Sequence, residues 1–139
     1  MVTGNFAIGY KSQNANIDQY TIVSRGTVDK SCKIPTVEND PMVLGVMAVV
    51  SATADPLSGI QDFTGVTLSI ELGGIIKVKA SGAVVAGDKI INTIGGLGKA
   101  VDLETAGVYY TLGEADTSAD DGEYFDLMID KNVITIPVV

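Results

Sequence analysis

The chain has 139 residues, 46% of them hydrophobic and 19% charged, with 17 acidic residues against 9 basic ones and a net charge of −8. That length suits a single domain with one core, the composition excludes a disordered chain, and nine scattered cations under a negative total oppose binding to a phosphate backbone. A mean hydropathy of +0.32 is high for a small soluble monomer and points to apolar surface covered by partners.

The N-terminus, "MVTGNFAIGYKSQNA", lacks a basic segment followed by an apolar stretch and a small-residue cleavage site. No signal peptide is expected, and the chain is expected to stay in the cytoplasm or to travel within a particle. Phe6, Ile8 and Tyr10 alternate along one side of this segment. Residues 1–12 read equally as an arm that orders on a neighbour and as the first strand of the body, which otherwise occupies 13–139 as a single β domain.

Strand-like runs follow. "QYTIVSRG", "MVLGVMAVV", "VTLSIEL", "GDKIINT" and "GVYYTLGEA" are β-branched or aromatic and bounded by Gly, Asp, Asn or Pro. The longest apolar run, Met42 to Val50, has nine residues, too few to cross a bilayer as a helix. In "IIKVKA", Ile76, Val78 and Ala80 alternate with lysines, and in "EYFDLMID", Phe125, Leu127 and Ile129 form the apolar phase; both predict strands with one buried face. The tail "NVITIPVV" places Ile134, Ile136 and Val138 on one side, with Pro137 tolerable near the end of an edge strand.

Glycines at 82, 95, 96, 98 and 122 supply turns between strands. One segment, "ADPLSGIQDF", suggests a helical turn, with Asp55 as cap and Pro56 as its start. The expected class is mainly β: a single compact antiparallel barrel or sandwich-like domain with at most one or two short helical turns.

An internal echo appears between residues 18–46 and 87–115. Each has an aspartate (Asp18, Asp88), a short apolar strand, a Gly-containing turn, a lysine (Lys30 or Lys33; Lys99) and a strand carrying Leu-Gly (Leu44-Gly45, Leu112-Gly113). Duplication and coincidence stand level. Duplication would pair two similar β units into one barrel or sandwich and so close their edges.

Chemistry is sparse. The chain contains no histidine, which excludes Ser-His-Asp and Cys-His catalysis. The sole cysteine, Cys32, reads as a small core filler, and it allows neither an intrachain disulfide nor a cysteine-rich zinc site. The glycines before Lys99 do not make a phosphate loop, because Thr93 replaces the first required glycine and Ala100 the metal-binding hydroxyl. Asp116, Asp120, Asp121 and Glu123 are either irregular calcium ligands or a solvated connection; regular calcium-loop spacing fails, since Met128 falls where the bidentate Glu belongs. Carboxylate pairs for glycoside hydrolysis are available by number, but there is no Trp to stack a sugar. No catalytic residue, cofactor or resident metal is expected, and the chain does not read as an enzyme.

Residues 73–129 resemble the small decoration, or cement, proteins of tailed-bacteriophage capsids. The resemblance rests on the order of Ala80, Gly82, Val84 or Val85, Gly87-Asp88, Gly98-Lys99-Ala100, Leu112-Gly113, Asp120-Asp121-Gly122 and the closing strand Phe125 to Ile129. Residues 1–72 fit less closely, and the last ten extend past the motif. The resemblance implies a protein made in the host cytoplasm and carried on the exterior of the virion capsid, as a homotrimer that clamps neighbouring copies of the major capsid protein. From the charge and the short apolar runs, no nucleic-acid or membrane partner is expected. Phe6, Ile8, Tyr10, Ile134, Ile136 and Val138 are the candidate partner-binding residues. The alternative function is a virion-surface module for host or environmental glycans, with Tyr20, Tyr109, Tyr110 and Tyr124 as stacking groups.

Overall fold

The structure is a computed structural model that describes residues 6–50 and 62–138. Among these, all regular structure is strand: β1 Phe6–Ser12, β2 Ile22–Arg25, β3 Ser31–Lys33, β4 Val43–Val50, β5 Thr67–Lys79, β6 Lys89–Asn92, β7 Gly98–Ala100, β8 Gly107–Ala115 and β9 Tyr124–Ile136. The mainly-β barrel class expected from the sequence is the class found. Most of the helical-turn candidate, including Asp55 and Pro56, lies outside the described residues.

The strands are hydrogen-bonded in the order β1-β3-β2-β4-β5-β9-β8-β6-β7, and β1 also pairs with β5. The first five therefore close into a barrel. On the other side of β5, β9, β8, β6 and β7 follow in turn, and a parallel bridge between Ala80 and Gly98 returns β7 to the chain leaving β5. The second set closes on itself as well. The hinge between the two is the Gly73-Gly74 pair: Gly73 is opposite Phe6 of β1, and Gly74, with φ 86°, is opposite Ile129 of β9. Glycines let one long strand bend sharply enough to serve two barrels.

Pairing registers show that the barrels are the same unit twice. Val23 is opposite Gly45 and Ile90 opposite Gly113; Met47 is opposite Ile70 and Ala115 opposite Leu127. Tyr10 is opposite Leu68 and Val78 opposite Phe125. Ser24 is opposite Lys33 and Ile91 opposite Lys99. The Leu-Gly pairs and Lys33/Lys99 of the sequence echo thus coincide. Its aspartates do not, because Asp88 donates its N–H to Val85 O as Thr21 does to Asp18 O, which sets Asp88 beside Thr21. The units also differ from the arrangement expected of a duplication, since each closes around its own core and shares β5 with the other.

One core holds Tyr10, Ile17, Val23, Cys32, Leu44, Met47, Leu68 and Ile70; the other is built on Ile76, Val78, Val84, Ile90, Leu112, Ala115, Phe125 and Leu127. Each fully buried aliphatic or aromatic side chain among them contributes roughly 1.5–3 kcal/mol. The second cluster extends to Ile22, Val43 and Val46, which belong to the outer face of the first barrel. Apolar packing of that face against the second barrel makes the pair of barrels one body.

Candidate interaction surface

The seam between the barrels separates an apolar from a charged version of the same surface. By register, the counterparts of Ile22 and Val46 in the second barrel are Lys89 and Glu114. They form an exposed ion pair at 3.3 Å. One face of the repeated unit is therefore apolar where it is covered within the chain and charged where it is not.

At one end of the seam, Gln19, Tyr20, Ala48, Glu71, Lys77 and Asp126 line an open groove of about 350 Å³. Tyr20 has left-handed backbone, φ 69°, and its N–H donates to Met47 O at 2.7 Å; such a conformation is costly for an aromatic residue and is held by its surroundings. Its ring meets Tyr124 edge-on, with centroids 5.9 Å apart. Gln19 Nε2 donates to Ala48 O at 2.8 Å, and Lys77 pairs with Asp126 at 3.7 Å. Glu71 is only 9% exposed, and its Oε2 is buried with no hydrogen-bond partner.

The other end lies five residues along β4 and β9, about 17 Å away at the usual rise of a strand. There Pro41, Val43, Tyr110, Lys131 and Val133 line a second groove of about 230 Å³. Burial, and then the positive charge of Arg25, push the Lys131 ammonium below the usual lysine range. Beyond Ile129, β9 has β8 as its strand neighbour, running Val133 opposite Tyr110 to Ile136 opposite Gly107. The outer edge of β8 is closed by a side chain: Asn39 Nδ2 donates to Val108 O at 2.8 Å and Tyr110 N donates to Asn39 Oδ1 at 2.7 Å.

The six residues singled out from the sequence fall on different barrels. Phe6 is exposed at the start of β1, Ile8 is half-buried, and Tyr10 is buried in the first core with the Lys30 ammonium 5.7 Å from its ring centroid. Within the described residues of the 1–12 segment, Phe6–Ser12 is a barrel strand paired to β3 and β5. Ile134 and Ile136 are half-buried on the β8–β9 ribbon, and Val138 is 88% exposed beyond it. The four tyrosines also separate: Tyr20 and Tyr124 pair at the first groove, Tyr110 lines the second, and the Tyr109 hydroxyl donates to Thr105 O at 2.9 Å.

The acidic turn is held by backbone donors, one from another loop and one of its own. Asp121 Oδ1 accepts from Gly82 N at 2.7 Å, and Glu123 Oε1 from Asp120 N at 3.1 Å. Among the described residues no three acidic or cysteine side chains gather as a metal site.

Glu71, Arg25 and Lys131 were not legible as site residues. Glu71 sits in the polar phase of "VTLSIEL", where alternation marks it as solvent-facing, and Arg25 and Lys131 are far apart in sequence and only the fold brings them to one end of the seam.

No family model matches the chain, and no curated protein matches it. Among solved structures it is similar to the head fiber gp8.5 N base of bacteriophage phi29, with a TM-score of 0.56 and 16% identity over 91% of this chain and 95% of that one. The two proteins share a fold over almost their whole lengths.

Proposed function

We propose that this chain is a structural protein of a tailed-phage head: a homotrimer that binds the exterior of the mature shell and clamps adjacent major capsid subunits, without catalysis. The observation that carries the reading is the fold, matched over 91% of the chain by the base of a phage head fiber. The motif order in residues 73–129 supports it as well, since it resembles the order in capsid decoration proteins.

The physical basis is surface geometry. Two fused barrels give a stiff body with grooves at both ends of one seam, and a trimer of such bodies touches several shell subunits at once. Modest single contacts then add through high effective concentration. Binding the assembled shell alone stabilises it by about 2.7 kcal/mol per site when free protein is at 100 times its Kd.

The test is to mix the purified protein with undecorated mature heads and image the product by electron microscopy. Density on the outer surface at regular positions is the expected result, together with a higher temperature for DNA release. Heads that remain bare at saturating protein overturn the proposal. Binding to a glycan array with bare heads favours the glycan-module alternative.

A further inference from the structure

Glu71 poses a specific question. A carboxylate withdrawn from water needs a cation or hydrogen-bond donors, and the buried Glu71 Oε2 has none, although Glu71 lines an open groove. Lys77, on the rim, is engaged by Asp126. Residues 1–5 and 51–61 contain no lysine or arginine. Among the described residues no lysine or arginine is paired with Glu71, which leaves the carboxylate available to a cation of another molecule.

The opposite end of the seam supplies a matching group. Arg25 donates its N–H to Met42 O at 2.9 Å, next to Val43, which lines the second groove with Lys131, and neither cation is in an ion pair among the described residues. Both cations belong to this end of the seam, on a chain of net charge −8. Exposed Met42 and Val133 flank them with apolar surface.

We propose that copies of this chain associate head to tail, with the Arg25–Lys131 end of one copy seated in the Glu71 groove of the next. The guanidinium fork suits a bidentate contact to the carboxylate, and the ring of Tyr20 offers its face to the same cation. Lys131 is then drawn toward Asp126 on the groove rim. Such a contact is heterologous, so repetition gives a ring such as a trimer where the rotation between copies closes and an open filament where it does not. This inference rests on the proposed self-association and names the surfaces that produce it.

The experiment is native mass spectrometry and sedimentation velocity on the full chain and two variants, Glu71→Gln and the double variant Arg25→Glu with Lys131→Glu. Both variants are expected to retain the wild-type circular dichroism spectrum and to associate about 30-fold or more weakly. Glu71→Gln keeps an intact basic end and the double variant an intact groove, so an equimolar mixture forms 1:1 pairs that neither forms alone. If the wild type is oligomeric and both folded variants assemble equally well, the interface lies elsewhere and this proposal falls while self-association stands. A wild type that stays monomeric at every concentration overturns both.

Discussion

Gly45 and Gly113 occupy the same position in the two barrels. A Cβ on Gly45 would run into the carbonyl oxygen of Glu71, and one on Gly113 into that of Met128, each the backbone of the next strand. The clash is with backbone, which has little freedom to yield inside a closed barrel. Gly45→Ala and Gly113→Ala are therefore expected to destabilise by similar amounts, about 1–3 kcal/mol each. Gly82 is the control, because its φ is 77° but nothing lies within 4 Å of an added Cβ; Gly82→Ala should cost about 1 kcal/mol, from backbone strain alone. Urea denaturation of the three variants checks the order.

A second relationship concerns volume exchange between the cores. Cys32 and Gly98 are equivalent, as are Leu68 and Phe125. A Cβ on Gly98 would stand 2.9 Å from Phe125 Cζ and 2.9 Å from Val78 Cγ1, so the absent side chain is what admits the larger ring. Gly98→Ala should overpack the second barrel by about 1–3 kcal/mol. Adding Phe125→Leu reproduces the residue that accompanies Cys32 in the first barrel and should recover part of that loss. Thermal unfolding of the single and double variants measures the coupling, and strictly additive losses would contradict the explanation.

Burial raises the Cys32 thiol to about 11 from an ordinary value of 9.0. The thiol is fully buried, and the reactive species is the thiolate, so the native protein should not react with a thiol reagent at pH 8 until it is unfolded. The sign of the pH dependence follows from linkage. The folded value lies above the unfolded one, so the contribution to stability is complete below pH 9 and is lost as pH rises through about 11. Cys32→Ala should remove that alkaline component from a series of denaturation curves between pH 8 and pH 11. A rapid reaction of the native thiol at pH 8 would contradict the buried environment.

The division between what the sequence announces and what it conceals has a physical origin. Alternation over β-branched residues announced most strands, because a half-buried strand must alternate: Ile76, Val78 and Ala80 are all buried, as are Phe125, Leu127 and Ile129. β3 and β7, three residues each, are too short to show a period. The apparent breaks at Gly73-Gly74 and at Asp130 to Asn132 are interior to long strands, since β5 and β9 each run 13 residues. A glycine pair that usually ends a strand here carries it from one barrel to the next. The proposed binding surface was largely illegible, because Glu71 is flanked by β1 and β4, which register alone brings beside it.

The final prediction concerns the ribbon beyond the second barrel. Asn39 has left-handed backbone, φ 55°, and its amide spans Val108 O and Tyr110 N as a neighbouring strand would. Its own N–H donates to the Asn92 carbonyl at 3.0 Å, and Asn92 Oδ1 accepts from Asp40 N at 2.8 Å, so the loop is fixed to β6. Asn39→Gly keeps the backbone conformation and loses both amide contacts, at a cost of about 1–3 kcal/mol. Asn39→Asp retains the acceptor for Tyr110 N, loses the donor to Val108 O and sets a carboxylate near that carbonyl, so the Tyr110 contact should survive while the Val108 contact is lost. Asn39→Ala loses both contacts and adds the strain of a non-glycine residue at positive φ, placing it last in stability. Hydrogen exchange at Tyr110 should accelerate in the glycine and alanine variants and stay slow in the aspartate variant. Unchanged protection in all three would mean that β8 is held by β9 alone.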